Sequence, residues 1–151
     1  MLTTRKDNWV EMFDLINRTN DALPVNDKIP RIHFPGTVAN VQDSSTGAWA
    51  RVSIDTLDDR QDTLSVPDGP GGTKRYRTVG LLFIQLFVPA SDSRRVGMLP
   101  FVADTFKTAF RKYPHRNGLV FRNARYDASI PAEKSFERAN IVVEFEYNEI
   151  Q

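Results

Sequence analysis

Cysteine is absent from the 151-residue chain, which removes disulfides, zinc–thiolate sites, iron–sulfur clusters and thiol nucleophiles from consideration. Histidine is scarce. Its two copies, His33 and His115, fall in different segments, and no H-E-x-x-H or other metal-ligand spacing surrounds either. An excess of one charge is missing too. Twenty basic residues stand against nineteen acidic ones, a net charge of +1, so there is neither a broad polycationic surface for nucleic acid nor the acidic surplus of a disordered chain. The longest apolar run, near Leu81 to Val88, falls far short of the ~20 residues that span a bilayer. The opening MLTTRKDNWVEMF lacks the apolar core of a signal peptide. A soluble, cytoplasmic chain is the expectation.

What remains is an ordinary globular composition, 40% hydrophobic and 26% charged, in a length that fits one domain with a core of its own. Residues 4–22 predict a helix, because Trp9, Met12, Phe13 and Ile16 recur at helical spacing behind Thr4 as N-cap, with Asp7 in the first turn and Pro24 beyond the end. Arg31 to Phe34 predicts a short strand. Ala48 to Leu57 predicts a longer one, with Ala48, Ala50, Val52 and Ile54 on one face and Trp49, Arg51, Ser53 and Asp55 on the other. The pattern then dissolves in DTLDDRQDTLSVPDGPGG and resumes at Tyr76. Val79 to Val88 is apolar on both faces, as a central strand covered twice would be. Val96 to Tyr113 predicts a second helix, starting near Val96 or Gly97 so that Pro100 stays close to its first turn. Leu119 to Tyr126 and Asn140 to Tyr147 predict the last two strands, joined by the polar DASIPAEKSFERA. The order α-β-β-β-α-β-β lacks the alternation of parallel βαβ units. It predicts an α+β fold, a mostly antiparallel sheet with two helices packed on one face, in a single domain spanning residues 1–151.

The motifs carry little chemistry. The stretch DGPGGTKRYRTVGLLFIQLFV, beginning at Asp68, opens like a phosphate loop, but Thr73 and Lys74 stand in the wrong order and a strand follows instead of a helix. A flexible turn between strands is the better reading. Asp55, Asp58, Asp59 and Asp62 form a carboxylate cluster without the glycine and ligand order of a calcium loop, and a solvated acidic loop is expected. Arg122, Arg125 and Tyr126 suggest an RNA-binding sheet, but the element order and the aromatic–basic consensus are wrong for one. No G-x-S-x-G nucleophile is present. The expectation is that no residue is catalytic and that no cofactor or metal is held.

Acidic and basic limbs flank the glycine-rich tip: Asp58, Asp59 and Asp62 on one side, Lys74, Arg75 and Arg77 on the other. Residues from about 58 to 74 are expected to form a flexible hairpin arm. Its tip has little apolar surface to offset an ordering cost of ~1–2 kcal/mol per residue, so neighbouring molecules would have to order it. Opposite patches on one chain suit head-to-tail rings. Phe83 and Phe87 lie on the strand face opposite the helices and require cover from a loop or a neighbouring subunit.

Read together, an N-terminal helix, the IHFPGT strand, a Gly/Pro-rich excursion, GLLFIQLFVP leading into RRVGMLPFVADTFKTAFR, a GLVF strand and a final VVEFEYNE strand resemble the tail terminator proteins of long, flexible-tailed bacteriophages. The sharpest part is the Gly80 to Pro89 strand followed by a helix carrying Ala103, Asp104 and Phe106. The resemblance implies an α/β sandwich and a homo-oligomeric, hexameric ring. Such a ring sits on the tail tube, stops its growth and offers the head its attachment surface. The implied partners are the chain itself, the tail-tube protein and a head-completion or connector protein. No small-molecule substrate and no membrane are implied, and DNA only passes through the lumen. The implied location is the virion tail, after assembly in the host cytoplasm. The ring interface is expected to draw on Asp58, Asp59, Asp62, Lys74, Arg75, Arg77, Phe83 and Phe87. The alternatives are a head–neck connector and, from another class, a small nucleotide- or nucleic-acid-binding module.

Overall fold

Thr4 starts the first helix as its sequence context predicts. Its hydroxyl accepts the Asp7 N–H at 3.0 Å, satisfying one of the donors a helix leaves free at its start, and α1 runs Arg5–Asp21. Thr4→Ala is expected to cost ~1 kcal/mol, read in urea denaturation. The computed structural model describes residues 4–36, 47–61, 74–114, 118–127 and 135–150. Beyond α1 come β1 (Arg31–His33), β2 (Trp49–Gln61), β3 (Arg75–Pro89), α2 (Ser93–Arg111), β4 (Val120–Asp127) and β5 (Phe136–Ile150). This is the α+β order read from the sequence.

The strands form one sheet, ordered β1-β2-β3-β5-β4. Every pairing from β2 to β4 is antiparallel, and only the short β1 lies parallel to its neighbour. The both-sided apolar strand β3 takes the centre. Along β3 and β5 the alternation sends Leu82, Ile84, Leu86, Ile141, Val143, Phe145 and Tyr147 to the helix side, where they bury with Met12 and Ile16 of α1 and Leu99, Phe106 and Phe110 of α2. Both helices therefore cover the same face.

Two expectations about extents need correction. Helix α2 begins at Ser93, not near Val96, because Asp92 caps it: its carboxylate accepts the Arg95 N–H at 3.2 Å. Pro100 consequently sits inside the helix, where its missing N–H leaves the Val96 carbonyl without its usual partner. The residue is exposed, so that carbonyl lies on the wet side of the helix. The second correction concerns β2, which continues through Asp58 to Gln61 opposite Val79 to Tyr76. A bulge between Thr56 and Asp58 offsets the alternation by one residue there, which is why the period-two pattern stops while the strand does not.

Candidate functional site

The face of the sheet away from the helices is the surface left to do something. Register places its residues in rows. Arg31, Trp49, Phe87 and Arg138 lie side by side at one end, followed by His33, Arg51, Gln85 and Asn140. Next come Ser53, Phe83, Val142 and Arg125, then Asp55, Leu81, Glu144 and Arg122, then Asp58, Val79, Glu146 and Val120. Apart from Gln85, apolar side chains thus run down β3; Asp55 and Asp58 lie on its β2 side, and Arg122 and Arg125 lie on β4 beside Glu146 and Glu144 of β5.

The first row covers itself. Trp49 stacks on Phe87 with centroids 4.2 Å apart and an 8° angle between the rings, and Phe136 meets both edge-on at 6.3 Å. The Arg51 and Arg138 guanidinium carbons lie 5.4 and 5.8 Å from the Phe87 centroid, a cation–π distance. Gln85 holds Arg51 in place through a 2.8 Å bond to its Nε. Phe87 is left only 2% exposed. Phe83, without such a cap, is half-buried, as are Val79 and Leu81. The two phenylalanines expected to need cover thus part company: one finds it within its own chain.

The charged limbs are brought side by side, and several of their charges also reach partners elsewhere in the fold. Arg77 turns to β5, its Nε 2.7 Å from Glu146, whose other oxygen receives Arg122 at 2.5 Å. Asp59 lies on the helix side, bonded by the Thr78 hydroxyl at 3.3 Å and facing Arg5 of α1 at 3.6 Å. Arg5 also reaches Glu149 at 3.7 Å, so the start of α1 is tied to the base of the hairpin. Asp58 is exposed on the open face, 3.4 Å from Arg60. Arg75 is exposed at the start of β3, and Lys74 is half-buried just before it. Asp62 and the hairpin tip, residues 62–73, lie outside the described residues, as does His115.

Burial pushes the Glu146 carboxyl up, but hydrogen bonds and charge from Arg122 and Arg77 outweigh it and hold it below its ordinary value. A depressed carboxylate contributes stability that is present above its unfolded pKa and lost as pH falls through the folded one. Acidification through this lowered value, below the ordinary glutamate range, is therefore expected to release Arg77 and Arg122. Glu146→Gln should be less stable than the parent at pH 7, and the gap should close towards pH 3 in thermal melts.

Among the described residues no group of three or more acidic or histidine side chains is placed to hold a metal ion. His33 meets the edge of Trp49 at 5.6 Å. A shallow cavity of about 270 Å³ opens beside it, lined by Phe34, Gly36, Arg51 and Ser53 at the point where β1 ends. No described helix is long and apolar enough to cross a membrane. Sequence reasoning missed the Trp49–Phe87–Phe136 cluster because Phe136 stood in a segment read as polar connection. The signal was there, since Phe136, Arg138 and Asn140 continue the alternation of β5 backwards.

No family model matches this chain, and no curated protein does. Fifteen chains of solved structures match it. One aligns over 92% of this chain and 95% of its own length, with a TM-score of 0.51 and 17% identity, under a name that states no activity. A likeness at that identity speaks for the α+β fold alone.

Proposed function

We propose that this chain is a tail terminator: a protein that assembles into a ring, hexameric in the family it resembles, caps the tail tube, stops its elongation and presents the surface to which the head attaches. The reading starts from the resemblance carried by Gly80 to Pro89 and by Ala103, Asp104 and Phe106. The observation that carries it furthest is the one-sided sheet. Both helices lie on one face, while Val79, Leu81 and Phe83 remain half-buried on the other. A large apolar side chain gains ~1.5–3 kcal/mol from full burial, so such a face is suited to contact with other subunits. The function is assembly, with the tail-tube protein below, a head-completion protein above and DNA only as passing cargo.

The test is a phage lacking the gene. Lysates should contain filled heads and headless tubes longer than normal, and the protein supplied from a plasmid should restore tails of normal length. Tubes of normal length that fail only to join heads would replace this reading with a head–neck connector. Fully assembled, infectious particles would remove both.

A further inference from the structure

Resting on the tail-terminator reading, we infer which surfaces join one copy to the next: the outer edge of β2 meets the β4 edge of its neighbour. The two ends of the sheet are unlike. At one end β1 pairs only with Trp49 to Arg51, and no described strand lies beyond Val52 to Gln61 on that side. A strand paired on one side presents a row of backbone groups to whatever comes next, and soluble proteins normally blunt such an edge. Here the blunting is a bulge between Thr56 and Asp58 together with charge. The edge exposes the carboxylates of Asp55 and Asp58 and, at the bulge, Leu57, which is 59% exposed.

The opposite end is guarded and basic. Strand β4 carries a bulge between Arg122 and Arg125, with Asn123 at φ 52°, and the Arg111 Nε donates to the Ala124 carbonyl at 3.0 Å. Its exposed charges are Arg122 and Arg125, with side chains 57% and 54% exposed. The bulge keeps this edge from unspecific strand addition and leaves charge to select the partner. That partner is acidic, and the neighbour's own β2 supplies an acidic strand edge.

Direction agrees with charge. Three antiparallel pairings separate β2 from β4, so the two strands run in opposite senses. Copies related by rotation about an axis along the strands bring β4 against the next β2 in the antiparallel sense the sheet already has. The contact uses two different surfaces, hence it is heterologous and closes as a ring when the rotation allows. Arg122 and Arg125 form the basic side of the contact: each also meets a β5 carboxylate, Glu146 and Glu144, but both side chains stay more than half exposed, whereas Arg77 is 34% exposed.

The absence of cysteine from the chain makes the test clean. Four double variants place one cysteine at Ser53 or Asp55 and one at Arg122 or Arg125, and each is oxidised after assembly with the tail-tube protein. At least one is expected to give a ladder of cross-linked species up to the closed ring, whereas single-cysteine chains stop at dimers or stay monomeric. Asp55→Asn with Asp58→Asn should weaken assembly several-fold with the melting curve of the subunit unchanged. Rings visible by electron microscopy with no ladder from any pair overturn this interface and leave the terminator reading standing. A chain that never forms rings overturns both.

Discussion

Phe106→Ala is expected to destabilise the subunit by ~3–5 kcal/mol, the cost of emptying an aromatic site that cannot collapse. Phe106 is fully buried, and its helix lies over β3, β4 and β5. Leu99, Phe110, Leu82 and Phe145 belong to the same core, so the hole cannot be filled from one side. Total stabilities of single domains are ~5–15 kcal/mol, and the variant therefore loses a large share of its margin. Urea denaturation should show the midpoint falling with little change in slope. A loss below about 1 kcal/mol would mean that α2 does not sit on the sheet as described. This residue also belongs to the helix motif on which the family resemblance rests, so its role there is read here as packing.

Gly80→Ala is the second large effect, and it acts by crowding rather than by loss. A Cβ at this position would lie 2.5 Å from the Asp55 carbonyl oxygen and 2.6 Å from the Phe145 ring tip. One of these is backbone of the neighbouring strand, which cannot swing aside. Overpacking of this kind costs ~1–3 kcal/mol and sometimes more, and the upper end is expected because β2 and β5 both press on the site. The bulge that follows Thr56 starts beside this glycine, so a shift of β2 would also move Asp58 and Leu57. Reduced assembly should accompany the reduced melting temperature. An alanine variant as stable as the parent would show that the close approach of β2, β3 and Phe145 is not real.

The alternation of apolar residues made most of this fold legible. Met12 and Ile16, alternate residues from Leu82 to Val88, and alternate residues from Ile141 to Tyr147 each turned out to face the core as their spacing required. What escaped was set by single residues that break a period. Leu57, as the extra residue of a bulge, hid the last part of β2. Asp92, as a cap, moved the start of α2 from near Val96 back to Ser93. Of the eight residues expected at an interface, spacing placed Asp58 and Phe83 on an open surface. It gave no warning that Asp59 would turn to Arg5, Arg77 to Glu146, or Phe87 to Trp49. Those partners lie on strands or helices far away in sequence, and a one-dimensional pattern holds no information about them.

The central claim, that this chain ends tube growth by capping, is tested most directly by polymerising the cognate tail-tube protein in its presence and measuring tube lengths by electron microscopy. The account predicts lengths that shorten as the protein is added and a ring at one end of each stopped tube. Tubes of unchanged length, with no ring at either end, would contradict it.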